Sequence, residues 1–398
     1  MLPFRQKFIE SWKLGRKVVS GSIQEAIGRR IQELRKRLGM NQTTLAEKMG
    51  FGSAETISSI ERGDREIKAV EIAQLSRILL VPVADLLMPV EAEPDPSILW
   101  RAEPMQGREV TEARFLQRCN QYAWLEEAVG VTRLARFPSL EVDPERVNLS
   151  DATRLADEVR RQFDLGNRPA AVLEKTLEDV YGVKIWYDKL EEGSAASVWG
   201  KFGPAILMNS REAPWRRNYN FAHEVFHLIT WNSLPPGLLS ERSDLRSKVE
   251  SIANAFASQL LLPADPVRMV FYARVTESKI AYSDLVDLAR SFDVSTEALL
   301  YRLLNLNCFP RAAVTKMLRD PAFRELDRCS MSECWHSPPE IPERFVRLAF
   351  LAHQKGKLSR SKFASLLGAS IADLNDVLRK YGFGDEKDNA GKTKVRVA

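Results

Sequence analysis

Residues 211–230 read REAPWRRNYNFAHEVFHLIT, and the run His223, Glu224, Val225, Phe226, His227 inside them decides what the chain must be built around. Two histidines four apart lie on one face of an α-helix, about one turn from each other, so both imidazoles can address a single Zn2+. The intervening Glu224 can then contact the water such an ion activates. Helix formers flank the run on both sides, and the apolar spacing predicts a helix over Arg211–Thr230. Two surface histidines on an ordinary helix is the competing reading, but the chain holds only four histidines, so this spacing rarely arises by chance.

A catalytic zinc needs three protein ligands and keeps one position open. Thr230 and Ser233 stand where a longer histidine motif would place Gly and a third His, and neither His336 nor His353 lies close in sequence. An acidic ligand is therefore expected. Residues 246–262, RSKVESIANAFASQLLL, predict a helix in which Glu250, Asn254 and Ala257 share one face while Ile252, Phe256 and Leu260 line another. Glu250, a lone carboxylate among small residues, is the expected third ligand, with Glu241 or Asp244 as substitutes and an exposed helix charge as the ordinary alternative.

At Arg217–His227 and Glu250–Pro263 the chain resembles the ImmA/IrrE family of metallopeptidases, whose motif couples R-x-F-x-x-AHE-x-x-H to E-x-x-AN-x-FA-x-x-LL-x-P. The resemblance covers about residues 145 to 306; Tyr219 takes the Phe position, and Phe226 replaces the common Gly before the second histidine. It implies His223, His227 and Glu250 as Zn2+ ligands, Glu224 as catalytic base, peptide-bond hydrolysis, and a protein substrate of helix-turn-helix repressor type. Tyr219 and Tyr272 are candidates for steadying the oxyanion.

Outward from this centre the chain reads as mainly α with a small β-sheet. A helix capped by Ser150 or Asp151 runs to Phe163, and a Pro169-led helix runs to Tyr181. VKIWYD, AASVWGKF and PAILMN, between residues 183 and 209, are rich in β-branched and aromatic residues and predict strands. Helices return at Ser283–Phe292, Ser295–Leu306 and across 341–380. The organisation expected is an extension at 1–22, a helix-turn-helix bundle at 23–89, and a linker and helical connector at 90–140. An α+β zincin-like peptidase domain at 141–310, a C-terminal helical region at 311–385 and a flexible tail at 386–398 follow. In the connector, Phe115, Tyr122, Trp124 and Leu125 are expected to pack.

Residues 23–89 break into five short amphipathic segments, with Ile27, Ile31 and Leu34 forming the stripe of the first. Gln42-Thr-Thr-Leu-Ala46-x-x-x-Gly50 followed by Ile57-x-x-Ile60-Glu61-x-Gly63 resembles the XRE-type helix-turn-helix of phage repressors. Ala46 is small where the two motif helices cross, and Gly50 permits the turn. By that resemblance Ala54, Glu55, Thr56 and Ser58 face bases of double-stranded DNA, while Gln42, Thr43, Ser59 and Arg62 face phosphates. A helical protein-docking module is the alternative. A second such look appears at Leu358-x-x-x-x-Phe363-Ala364-x-x-Leu367-Gly368, read as a helical hairpin for packing or assembly.

Of the +5 net charge, residues 1–90 alone supply 15 Lys/Arg against 10 Asp/Glu, which suits an anionic partner. Hydrophobic residues at 44% and charged ones at 28% describe packed globular domains. Four scattered cysteines exclude a disulfide framework; Cys329, Cys334 and His336 cluster, but in a poor zinc spacing. With no membrane span or secretory segment expected, the chain reads as a cytoplasmic DNA-binding regulator for which half-site geometry predicts a homodimer. Its zinc endopeptidase would cut a helix-turn-helix repressor or itself in a stress, mobile-element or toxin–antitoxin response. The alternative is a non-proteolytic transcription factor or antitoxin whose peptidase fold senses a ligand or binds a toxin partner.

Overall fold

The computed structural model describes residues 23–87, 96–102, 104, 106–131, 135–334 and 336–383. The expected extension at 1–22 and tail at 386–398 lie outside them. The described residues divide into two compact units: those up to Leu87 with 107–117, and the remainder.

The first unit holds α1 (Ile23–Arg37), α2 (Gln42–Met49), α3 (Ala54–Arg62), α4 (Ala69–Ile78), α5 (Val83–Leu87) and the first part of α6 (Arg108–Val129). Its core is the apolar stripe of each helix, among them Ile31, Leu34, Leu45, Ile57, Ile60 and Leu75. Asn41 caps α2 by accepting from the Thr44 N–H at 2.8 Å, and Gly50, at φ +71°, ends it. Ala46 is buried as expected, but the residue that limits space is Gly28. A Cβ there would stand 2.4 Å from the Ile60 carbonyl oxygen and 2.6 Å from that of Glu61, so α1 meets the backbone of α3 directly. Backbone oxygens cannot move aside as a flexible side chain can. Gly28→Val is therefore expected to destabilise this unit by at least about 1–3 kcal/mol, read as a lowered urea midpoint.

A buried ion pair fastens the same helices. Arg35 Nε donates to Glu61 Oε1 at 2.5 Å, while Gln32 and Gln42 donate to Glu61 Oε2 at 3.2 and 2.8 Å. Burial pushes the Glu61 carboxyl up, but the hydrogen bonds from Arg35, Gln42 and Gln32 outweigh it and hold the group below its ordinary range.

The second unit is organised on a four-stranded mixed sheet in the order β1-β3-β4-β2: β1 (Ile98–Trp100), β2 (Lys184–Asp188), β3 (Ala195–Gly200) and β4 (Gly203–Asn209). β3 runs antiparallel to both β1 and β4, and β2 runs parallel to β4. β4 is buried along its whole length, which its near-continuous apolar run reflects. β1 corrects the expectation that 90–140 is only linker and connector. Leu99 pairs with Ser197, and both Leu99 and Trp100 are buried. Three residues are too few to show an alternation, so only the partner strand reveals this one. In α6, Phe115, Tyr122 and Leu125 are buried as expected, but Trp124 is 44% exposed.

The same unit holds helices α7 (Leu149–Gln162), α8 (Ala170–Lys175), α9 (Pro214–Ile229), α10 (Pro236–Glu241), α11 (Ser243–Leu261), α12 (Ala264–Tyr272), α13 (Tyr282–Ser291) and α14 (Thr296–Asn305), of which α9 packs directly on β3 and β4. Asn148, not Ser150 or Asp151, caps α7: its side chain accepts from the Ser150 N–H at 2.9 Å, and Asp151 accepts from the Asn148 N–H. α8 does not run on to Tyr181 as an α-helix; it widens into a π-turn at Thr176–Val180. Four further helices follow: α15 (Arg311–Arg319), α16 (Pro321–Cys334), α17 (Glu343–Gln354) and α18 (Arg360–Leu366); α19 (Leu374–Lys380) is the last described. The fold is mainly helical with one small sheet. α9 is buried on nearly every side, between β3 and β4 on one flank and α8 and α11 on the other.

Candidate metal centre and nucleic-acid interface

α9 begins with Pro214 at its first turn and carries His223 and His227 on the side that meets α11. The two Nε2 atoms are 3.1 Å apart. Glu250 on α11 reaches both, with Oε2 at 3.2 Å from His223 Nε2 and Oε1 at 3.5 Å from His227 Nε2. Among the described residues these three form the one group of His, Cys, Asp or Glu side chains whose ligand atoms lie within 4.8 Å of one another. Glu241 and Asp244, the substitutes, are exposed outside it.

The protonation pattern fits a cation. Arg101 Nη2 donates to Asn254 Oδ1 at 3.3 Å, which fixes that atom as oxygen. His223 Nδ1 lies 3.1 Å from the same oxygen and must carry the proton, leaving Nε2 as a lone pair aimed at Glu250. Burial above all pushes both imidazoles down to about 3, with the Arg101 charge adding to the effect on each. Two neutral imidazoles and a carboxylate thus converge with nothing positive between them, and Glu250 Oε1 has no hydrogen-bond partner. A divalent cation satisfies this donor set.

Glu224 is fully buried, and neither of its oxygens has a hydrogen-bond partner. Burial raises its carboxyl to about 8; Ser197 on β3 faces it and eases the shift without meeting it in hydrogen-bond geometry, while the Glu250 charge adds to the rise.

Sequence reasoning missed the residues that brace this group. Helical spacing puts Asn254 on the ligand face but does not show it as the partner of His223. Arg101 follows β1, donates to Asn220 and Asn254, and lies 5.4 Å over the Tyr219 ring. Tyr219, in turn, donates its hydroxyl to the Asn254 carbonyl at 2.7 Å. Nothing local to Arg101 announces this, because it depends on pairing with a strand about a hundred residues away. Tyr272 is not brought to the centre; it is exposed on α12 against Phe271. Cys329 is exposed beside Glu325, and His336 accepts through its backbone oxygen from Arg217 at 2.9 Å; the Cys334 side chain lies outside what is described. Asn254→Ala is expected to weaken metal binding by about 10-fold, measured by competition with a chromophoric chelator, because an outer hydrogen bond orients the ligand ring.

Residues 178–304 match the IrrE N-terminal-like domain of peptidase family M78. Residues 31–86 match a helix-turn-helix family. The chain matches no curated protein. The IrrE-like segment contains both α9 and α11, so every residue of the converging group falls inside it, whereas Arg101 comes from outside. This part of the chain is metallopeptidase-like, with a His-His-Glu arrangement suited to metal.

In the helix-turn-helix unit α2 and α3 are the motif helices, and the family match supports DNA binding. Thr43 is exposed at the start of α2, while Gln42 is half-buried and engaged by Glu61. Ala54, Thr56, Ser58 and Ser59 are half-buried on α3. Glu55 and Arg62 are exposed and paired at 3.0 Å, and Arg62 also holds Asp64 and Ser58. The acidic Glu55 is thereby balanced by a neighbour on its own helix. Among the described residues no helix is long and apolar enough to cross a membrane.

Proposed function

We propose that this chain is a cytoplasmic DNA-binding transcriptional regulator carrying a Zn2+-dependent endopeptidase whose substrate is a helix-turn-helix repressor or the chain itself. The observation that carries the reading is the approach of the His223, His227 and Glu250 ligand atoms to within 4.8 Å, with Glu224 between the two histidines. His223, His227 and Glu250 hold the ion. When bound, it supplies Lewis acidity toward a peptide carbonyl and acidifies water. Beside the ion's charge the Glu224 carboxyl returns toward its ionised form, so that Glu224 takes the proton of the attacking water and returns it to the leaving amine. Asn254, with Arg101 behind it, keeps the His223 ring turned so that Nε2 faces the ion.

In the other unit, α3 enters the major groove with Ala54, Glu55, Thr56 and Ser58 toward bases. Thr43, Ser59 and Arg62 lie toward phosphates, and Gln42 adds to them only if it leaves Glu61. A homodimer on a two-fold operator and a role in stress, mobile-element or toxin–antitoxin control belong to the same proposal. Incubating zinc-loaded protein with helix-turn-helix repressors, and alone, should yield fragments by mass spectrometry that chelation abolishes. Absence of any zinc-dependent fragment, from repressors or from the chain itself, would overturn the peptidase reading.

A further inference from the structure

Residues 343–383 repeat the cap, the turn and one cross-helix bond of the first unit's motif helices. Asn41 caps α2 and Ser359 caps α18, each accepting from the backbone N–H three residues on, at 2.8 and 3.2 Å. Leu45 and Ala46 are buried in α2, and Phe363 and Ala364 are buried at the same positions of α18. Each helix ends at a glycine in the left-handed region, Gly50 at φ +71° and Gly368 at φ +63°. The residue after that glycine closes the turn identically: Phe51 N–H donates to the Ala46 carbonyl and Ala369 N–H to the Ala364 carbonyl, both at 2.9 Å. The first residue of each helix then bonds the helix that follows, Gln42 to Glu61 at 2.8 Å and Arg360 to Asn375 at 3.0 Å. Leu374 and Leu378 anchor α19 as Ile57 and Ile60 anchor α3.

Charge separates the two copies. Residues 343–383 carry eight Lys/Arg against three Asp/Glu. Where α2 opens with Gln42 and Thr43, α18 opens with Arg360 and carries Lys362 on its first turn, and Lys357 precedes it; all three are exposed, as is Lys380 at the end of α19. Asp376 on α19 is countered by Arg379 at 3.0 Å, and Asp373 before it accepts from Ser370 Oγ at 2.6 Å. α17 does the packing expected of a hairpin. Phe345 meets Tyr122 and Trp186 with ring centroids at 5.3 and 4.9 Å, and Arg344 pairs with Glu126 at 2.6 Å. That leaves the outer faces of α18 and α19 exposed.

We propose that α17, α18 and α19 form a second helix-turn-helix that binds double-stranded DNA, with Lys357, Arg360, Lys362 and Lys380 taking up its phosphates. This goes beyond the reading given above, which assigns DNA only to the N-terminal unit. Arg360 and Lys380 stand at the positions of Gln42 and Arg62, with Lys357 and Lys362 exposed beside them; such a charged helix pair acts chiefly through counterion release, so its signature is salt dependence.

The test is fluorescence anisotropy of the full chain on a short duplex of arbitrary sequence over a salt series. It is run on the natural chain, on Lys357→Ala/Arg360→Ala/Lys362→Ala, on Ser58→Glu/Ser59→Glu in the first unit, and on the combination. The C-terminal triple variant is expected to flatten the slope of log K against log salt by about 2–3, at about 0.9 per lost phosphate contact, in both backgrounds. Lys357→Ala/Lys362→Ala, which spares the Arg360–Asn375 bond, should flatten it by about 2 with an unchanged melting curve. Unchanged slope and affinity in both backgrounds would overturn the proposal. DNA binding lost with the N-terminal variant alone would overturn it while leaving the first unit's role intact.

Discussion

Glu224→Gln is expected to bind a divalent metal as the natural chain does and to lose peptide hydrolysis by about 10²–10⁴-fold, the usual worth of a positioned general base. The amide is close in volume to the carboxyl, so the packing of α9 against β3 should survive. Neither carboxyl oxygen has a hydrogen-bond partner, so exchanging one of them for an amide nitrogen breaks no existing bond. Melting temperature and metal stoichiometry should therefore match the natural chain while fragment formation disappears. Full activity in Glu224→Gln would remove this residue from the chemistry; loss of metal alongside activity would assign it to the metal site instead.

His223→Ala is expected to abolish stoichiometric metal binding, an effect larger than the roughly 10–100-fold that loss of an outer-sphere partner costs. The ring supplies one of three converging ligand atoms, and its Nδ1 bond to Asn254 at 3.1 Å couples α9 to α11. Elemental analysis after gel filtration reads the stoichiometry directly. Thermal unfolding gives a second readout: an ion that binds only the folded chain adds about 2.7 kcal/mol at a hundredfold excess over its dissociation constant. Added zinc should raise the melting temperature of the natural chain and leave that of His223→Ala unmoved. Retention of one zinc per chain in the variant would show that the ion sits elsewhere.

Local periodicity made much of the architecture legible. The α9 helix and its i, i+4 histidines need only sequence spacing, and the face shared by Glu250 and Asn254 on α11 follows from the same 3.6-residue repeat. β2, β3 and β4 were readable because a buried strand carries an apolar, β-branched run. The short helices α10 and α12 were not, since six to nine residues span too few turns to establish a period, and α15 and α16 were legible only as part of the helical region at 311–385. The π-turn at Thr176–Val180 escaped for a different reason: its residues would also suit an α-helix, and packing alone widens it.

The order of amino acids determined which side chains lie one helical turn apart, and hence that two imidazoles and an intervening carboxyl share α9. Tertiary structure alone decided that Glu250 meets them, that Asn254 turns His223, and that Arg101 arrives behind both just past the end of an edge strand. The division has a physical cause. Helical spacing is a property of neighbouring residues, whereas a meeting between α9, α11 and β1 is set by burial of the apolar faces those elements share. No short stretch of chain contains that information.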